Sequence, residues 1–220
     1  MSDLPQGYLA LPNATEPRPA VLVIHAWWGL NNFFKELCDR LAQSGFVAFA
    51  PDLYEGRVAQ TIEQAEAYSS NADHAQAQLR SLLRESIEAL RHHPRVVDQP
   101  LGVIGVSFGV YYGLTLLQDI PAQVRAMVLF YGTGGGTYQE SQAAVLGHFA
   151  ETDEFESKSN QMELETALRR AGMSVTFYEY PGTQHWFFEA NQPSAYQAEA
   201  AGLAWERTLS FLKQNLQPSH

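Results

Sequence analysis

An apolar strand that turns at Gly-Val-Ser-Phe-Gly into an apolar helix is the feature that most limits how this chain can fold. The run Leu101–Val106 has the continuous apolar character of a buried strand, and the residues after Phe108 have helical spacing. Gly105 and Gly109 suit a turn too tight for side chains, which presents Ser107 at its apex. The following helix aims its N-terminal N–H groups at the serine oxygen. The pattern predicts a nucleophile elbow with Ser107 as nucleophile, although an ordinary strand–turn–helix corner can carry the same five residues.

Strands and helices alternate along the rest of the chain. Strands are predicted at 8–11 (a short edge strand), 20–25, 46–50, 101–106, 125–131, 143–149 and 173–180, the last followed by a turn at Pro181-Gly182. Helices are predicted from Asn31 or Asn32 to about 44, over 61–92 with a break near 69–73, after 107, over 157–171 and over 194–216. This alternation predicts an α/β fold, with a mostly parallel central sheet and helices on both faces.

A serine nucleophile needs a histidine and an acid, and both follow later strands. Asp153 comes just after the predicted strand 143–149, and His185 follows the predicted strand 173–180. The carboxyl ends of parallel strands meet at one edge of a sheet, so both loops should emerge beside the elbow. The order Ser, Asp, His is the order used with such an elbow. We predict that His185 takes the proton of Ser107 and that Asp153 orients the imidazole.

Other acids and histidines compete for these roles. Glu151, Glu154 and Glu156 are close in sequence to the predicted acid, whereas Asp52 precedes the serine and would break the order. His25 ends a strand at the functional edge, and we interpret it as a loop residue or as a residue that supports the site. The remaining histidines are interpreted as surface or internally hydrogen-bonded residues: His74, His92, His93 and His148.

Acyl transfer also needs two backbone N–H groups to hold the developing negative charge. One is expected from Phe108, directly after the nucleophile, and the other from Trp27, in the loop after the strand that ends at residue 25. We expect Trp28, Tyr54 and Trp186 to line the substrate pocket. For the side chains of Trp27 and Trp28, plain packing within the loop is an equal alternative.

Composition limits the classes of function. The chain has 220 residues, 45% of them hydrophobic and 17% charged, which is typical of one globular domain over residues 1–220. A net charge of −10 without a basic run argues against nucleic acid and anionic membranes as partners. No signal peptide or membrane span is expected. The single cysteine, Cys38, is expected to be a buried thiol and fits a reducing cytoplasm.

Five blocks of sequence resemble the dienelactone hydrolase family. They are HAWWGLN at 25–31, PDLYEGR at 51–57, IGVSFG at 104–109, HFAETDEF at 148–155 and GTQHWFFEANQPSAY at 182–196. The resemblance implies a single-domain α/β-hydrolase without a large lid, needing no metal and no cofactor. It places the family's catalytic triad at Ser107, Asp153 and His185, and its oxyanion donors at Phe108 and Trp27.

The chain departs from that family at three positions. The namesake enzymes have a cysteine where this chain has Ser107, and a glutamate that controls the thiol where it has Ala26. A hydroxyl and a thiol require different activation, so this change is not neutral. Glu189 stands where the family has an arginine that holds the dienelactone carboxylate. A carboxylate there would repel an anionic substrate, which predicts a neutral or apolar ester instead.

The function expected from these features is hydrolysis of a small-molecule carboxylic ester or lactone through an acyl-serine intermediate. An acyl transferase or thioesterase could use the same triad, and a non-catalytic ligand-binding protein could share the fold. The intact order of serine, acid and histidine favours the enzyme over the binding protein. We expect a monomer or a small homo-oligomer.

Overall fold

Runs of apolar residues form a seven-stranded sheet in the computed structural model, which describes residues 4–216. The strands are β1 Gly7–Ala10, β2 Ala20–Ile24, β3 Val47–Pro51, β4 Leu101–Val106, β5 Val124–Phe130, β6 Ala144–Thr152 and β7 Val175–Gln184. Their order across the sheet is β1-β3-β2-β4-β5-β6-β7, and only β1 runs antiparallel to its neighbour. Every residue of β2, β3 and β4 is buried, as expected for strands covered on both faces.

Six α-helices cover the two faces of the sheet. They are α1 Asn32–Gln43, α2 Ile62–His74, α3 Gln76–Arg91, α4 Phe108–Asp119, α5 Lys158–Arg170 and α6 Ala198–Leu216. Side chains of β2 alternate between two apolar cores: Val21 and Val23 belong to the core that includes α1 and α6, whereas Leu22 and Ile24 belong to the core that includes α3, α4 and α5. The predicted α/β fold with helices on both faces is therefore confirmed. Within residues 4–216, none of the helices is both apolar and long enough to cross a bilayer.

The sheet differs from the sequence prediction near its β7 edge. The predicted turn at Pro181-Gly182 is wrong, because β7 continues through it and Gln184 pairs with Thr152 of β6. The ladder is irregular between Ala150 and Thr152, which lets both strands extend beyond the predicted ends. The pairing therefore reaches the residues directly before Asp153 and His185.

Two helix boundaries also differ. The long helical region breaks at Ala75, between α2 and α3, rather than at 69–73. The closing helix α6 begins at Ala198 instead of 194, because residues 189–196 form successive hydrogen-bonded turns. Neither change moves a strand end at the functional edge.

Two helical glycines give a matched test of the packing between α4 and β2. In Gly109→Ala the new methyl group would lie 2.3 Å from the Ile24 carbonyl oxygen. A methyl group added at Gly202, in α6, would have no atom within 4 Å. We expect Gly109→Ala to lower the free energy of unfolding by about 1–3 kcal/mol through overpacking. Gly202→Ala should raise it by about 0.5–1 kcal/mol through helix propensity. Urea denaturation measures both, and equal effects would contradict the close approach of α4 to β2.

Candidate active site

The corner between β4 and α4 holds Ser107 in a backbone conformation that L-residues rarely adopt, with φ 50° and ψ −115°. The Ser107 N–H donates to the Phe130 carbonyl at 2.8 Å, which ties the corner to the end of β5. Added Cβ atoms at Gly105 and Gly132 would come within 3 Å of neighbouring backbone, 2.8 Å from the Gly109 oxygen and 2.6 Å from the Ser107 oxygen respectively. The corner is thus built as an elbow that lifts the serine out of the sheet edge.

The three residues predicted for catalysis lie in one hydrogen-bonded chain. Ser107 Oγ is 2.9 Å from His185 Nε2, and His185 Nδ1 is 2.9 and 2.8 Å from the two carboxylate oxygens of Asp153. Because a carboxylate only accepts, Nδ1 carries the proton and Nε2 is free to accept from the serine hydroxyl. The Asp153 and His185 side chains are 2% and 6% exposed, so solvent screens this contact little.

The neighbouring glutamates make other contacts. Glu151 accepts a hydrogen bond from the Gly182 N–H at 2.9 Å, and Glu156 accepts one from the Asn160 amide at 3.0 Å. Asp153 Oδ1 also accepts from the N–H groups of residues 155 and 156, both at 2.9 Å. These two bonds fix the carboxylate in a tight turn at the end of β6, where it faces the imidazole.

The loop after β2 lies against the start of α4. An added Cβ at Gly109 would meet the carbonyl oxygens of Ile24 and His25, which shows how closely the two backbones approach. Within residues 4–216 the backbone N–H groups of Trp27 and Phe108 have no hydrogen-bond acceptor. An oxyanion hole requires unpaired backbone donors of this kind, and Phe108 lines the cavity beside Ser107. The role of the two N–H groups as oxyanion donors stays a prediction.

His25 connects the loops that follow β2 and β3. The ring is fully buried; Nδ1 donates to the Ala26 carbonyl at 2.7 Å and Nε2 accepts from the Leu53 N–H at 3.1 Å. Burial lowers the pKa of His25 to about 4, so the ring is neutral at pH 7 and suits this donor–acceptor pairing. His25 therefore supports the Trp27 loop and does not contact Ser107.

A cavity of about 490 Å³ opens beside Ser107 and His185. Most of its wall is aromatic or uncharged, and it is lined by Gln76, Ser107, Phe108, Tyr111, Tyr131, Gly132, Thr133, Phe155, Glu156 and His185. Sequence reasoning missed Tyr131 and Phe155, whose rings lie 4.7 and 4.9 Å from the His185 ring. The sequence could have indicated Tyr131, because this residue directly follows β5 at the edge of the sheet where the site lies.

The three residues expected to line the substrate pocket are not among those that line the cavity beside Ser107, and their contact with a substrate stays a prediction. Tyr54 is 1% exposed and packs edge-on against His25, with ring centroids 5.0 Å apart. Trp28 and Trp186 pack on each other at 5.9 Å, and Trp186 stacks on Trp27 at 6.2 Å. Trp186 and Tyr54 pack behind the cavity wall: the Trp186 ring centroid lies 5.1 Å from that of Phe155, and the Tyr54 centroid lies 5.9 Å from that of Phe108.

A sequence model of the dienelactone hydrolase family matches residues 6–216. The chain belongs to the dienelactone hydrolase family. It is 30% identical to Protein usf of Aquifex pyrophilus and 29% identical to a protein of Aquifex aeolicus named carboxymethylenebutenolidase. Each of these alignments covers 96% of this chain and 94% of the relative. The chain is accordingly a hydrolase of the ester and lactone class that defines this family.

Solved structures show the same fold. The structure called m3DLH superposes with a TM-score of 0.86 at 23% identity, covering 95% of this chain and 92% of the other. A dienelactone hydrolase-like promiscuous phosphotriesterase, P91, from metagenomic libraries superposes with a TM-score of 0.84 at 23% identity, covering 92% and 89%. At these identities the likeness establishes the α/β-hydrolase fold and its sheet.

Glu189, which the resemblance in sequence places where the family has an arginine, is not among the residues that line the cavity beside Ser107. It is 0% exposed, its Oε1 accepts from the Tyr131 hydroxyl at 3.0 Å, and its Oε2 has no partner among residues 4–216. Burial raises the pKa of Glu189 to about 8, although the Tyr131 hydrogen bond opposes part of that shift. The expectation that Glu189 repels an anionic substrate directly is therefore wrong, because the core encloses this carboxyl.

Metal ligation has no evident place in the described part of the chain. The side chains that the structure describes include no group of three or more His, Cys, Asp or Glu arranged to hold a metal ion. His148 has both ring nitrogens occupied, by the hydroxyls of Tyr180 at 2.7 Å and Thr208 at 2.9 Å. It is thus an internally hydrogen-bonded residue, as its sequence position suggested.

The buried acid makes stability depend on pH. Its folded-state pKa of about 8 exceeds the ordinary 4.5, so its contribution to stability is complete below pH 4.5 and is lost as pH rises through 8. We expect Glu189→Gln to remove this loss, on the order of a few kcal/mol between pH 5 and 8. Urea denaturation at pH 5 and pH 8 gives the change in the free energy of unfolding between the two pH values, and this change is compared between the variant and the wild type. Glu154→Gln, at an exposed site, is the control; identical pH dependence in all three proteins would contradict the burial of an acidic proton.

Proposed function

We propose that this protein is a serine hydrolase that cleaves a carboxylic ester or lactone through an acyl-Ser107 intermediate. The observation that carries the proposal is the continuous chain from Ser107 Oγ through His185 to Asp153, with contacts of 2.8–2.9 Å. These are hydrogen-bonding distances for a nucleophile, its general base and the group that orients the base. The strained elbow supports the same roles, since such strain tends to occur at functional residues.

In the first half-reaction, Ser107 Oγ attacks the ester carbonyl carbon and its proton passes to His185 Nε2. A tetrahedral intermediate forms, with its negative oxygen in reach of the N–H groups of Trp27 and Phe108. Collapse breaks the bond to the leaving alcohol, whose oxygen takes the proton from Nε2. The imidazole is positively charged between these two proton transfers. Asp153 stabilises it, because the carboxylate accepts a hydrogen bond from Nδ1–H throughout.

In the second half-reaction, a water molecule replaces the alcohol. Its proton passes to His185 Nε2 while its oxygen attacks the acyl carbon, and the second tetrahedral intermediate collapses with loss of Ser107 Oγ. The proton on Nε2 returns to the serine, which restores the resting enzyme and releases the acid. No group outside the protein and water is needed for either half.

The proposed substrate is largely apolar around the scissile bond and carries no negative charge. The cavity wall supplies aromatic rings from Phe108, Tyr111, Tyr131 and Phe155, and it contains no lysine or arginine. A carboxylate-bearing substrate would find no cationic partner there, whereas an uncharged acyl or alcohol group can pack against the rings. This supports a neutral ester over the anionic lactone that gives the family its name.

Replacement of the nucleophile tests the central step. We expect Ser107→Ala to lower kcat for p-nitrophenyl acetate by about 10⁴-fold or more, because no acyl-enzyme can form. Labelling by a fluorophosphonate probe should disappear as well. Ser81→Ala, on the exposed side of α3, is the control and should keep both signals. Undiminished turnover and labelling in Ser107→Ala would assign the chemistry to another residue.

The acid is tested separately from the nucleophile. Asp153→Asn keeps the shape of the side chain but favours the wrong imidazole tautomer, so kcat should fall by about 10⁴-fold. Glu154→Gln, one residue away and exposed, should retain wild-type kinetics. Steady-state kinetics with p-nitrophenyl acetate measures both variants. If Asp153→Asn has little effect, Asp153 is not the orienting acid.

A further inference from the structure

Among the described residues that line the cavity beside Ser107, Glu156 is the acidic one, and none is a lysine or an arginine. Asp153 lies behind the imidazole with its side chain 2% exposed, and Glu189 is enclosed in the core. Of these three described acids, Glu156 is therefore the one at the cavity wall, where a substrate can meet it.

Glu156 is held in place by the same turn that holds the orienting acid. Its backbone N–H donates to Asp153 Oδ1 at 2.9 Å, and its Oε1 accepts from the Asn160 side-chain amide at 3.0 Å. No ion pair to Glu156 occurs in the described part of the chain, residues 4–216. The Glu156 carboxylate is thus held by one neutral donor, the Asn160 amide, and has no basic partner among the described side chains.

The surrounding rings add to this preference. Aromatic faces carry partial negative charge and attract ammonium groups. Four of them line the cavity with Glu156, and Phe155 sits directly before it in the chain, over the His185 ring at 4.9 Å. The net charge of −10 also favours the approach of cations over anions.

We propose that Glu156 is a specificity-determining residue that selects substrates by charge. An ester with an ammonium group on a short arm from the scissile bond is preferred over its uncharged isostere, and an ester with a carboxylate is disfavoured. This inference rests on the proposed Ser107 hydrolase function. Uncharged esters remain substrates, since the aromatic wall binds them without help from the carboxylate.

The preference should appear in substrate binding. The charged group lies away from the reacting atoms and interacts with Glu156 equally before and during the reaction, so it changes KM more than kcat. A partly exposed carboxylate together with aromatic faces should make kcat/KM roughly tenfold higher for the ammonium-bearing ester than for its uncharged isostere at low salt. The effect should weaken at high ionic strength, as expected for a contact open to solvent.

Isosteric ester pairs test the inference, because each pair differs only in a nitrogen-to-carbon exchange. Acetylcholine and 3,3-dimethylbutyl acetate place the charge on the alcohol side. The methyl esters of 4-(trimethylammonio)butanoate and 5,5-dimethylhexanoate place it on the acyl side. Acid release in a pH-stat gives kcat and KM for each ester, and 4-acetoxybutyrate serves as the anionic comparison.

We expect a cation-to-neutral ratio of kcat/KM above about 3 in at least one pair, and slower turnover of the anion. Glu156→Gln should reduce that ratio several-fold, and Glu154→Gln, which does not line the cavity, should keep the wild-type ratio. Raising the salt from about 20 mM to about 500 mM should lower the ratio in the wild-type protein. The salt series needs no variant and so remains informative if Glu156→Gln folds poorly.

Hydrolysis of the uncharged esters distinguishes a failure of charge selection by Glu156 from a failure of the proposed hydrolase function. A ratio below about 3 in both pairs, or the same ratio in wild type and Glu156→Gln, overturns charge selection by Glu156 while Ser107-dependent hydrolysis of the uncharged esters stands. If no ester is hydrolysed in a Ser107-dependent manner, the proposed hydrolase function fails first, and the inference fails with it.

Discussion

The packing of α4 against the ends of β2 and β4 is the constraint on which the rest of the site depends. Gly105 and Gly109 let the helix begin so close to the sheet that Ser107 must take a left-handed backbone, with φ 50°. Such a conformation costs on the order of 1–3 kcal/mol and persists only where the surroundings enforce it. Here β4 lies between β2 and β5, fully buried, and hydrogen bonds to both neighbours hold the corner from either side.

Parallel pairing then brings the acid and the base to that corner. Thr152 pairs with Gln184, so Asp153 and His185 are the first residues beyond the last rung of the β6–β7 ladder. Adjacent parallel strands are about 5 Å apart, close enough for the two side chains to meet without any long loop. The extension of β7 through Pro181 is therefore what aligns the pair, and a turn at that point would have separated them.

The features that could be predicted from the sequence are those with a local pattern of residues. Buried strands and the elbow have strong local patterns, so the sheet, the helices and the candidates Ser107, Asp153 and His185 could be predicted. The cavity wall has no comparable pattern, because whether a loop ring such as Tyr54 faces solvent or core depends on neighbours distant in sequence. The same holds for Glu189: a resemblance in sequence says nothing about a side chain that turns inward to the Tyr131 hydroxyl.

Glu189 and Glu156 differ in their surroundings, since the core encloses the first and the second lines the open cavity. Burial raises the pKa of Glu189 to about 8, which makes it mostly a neutral acid at pH 7 that adds little charge to the cavity. Glu156 is only half-buried and lines the open cavity, where a substrate can approach it. Among the described residues, the acidic group at the cavity wall therefore comes from the turn after β6, the same turn that holds Asp153.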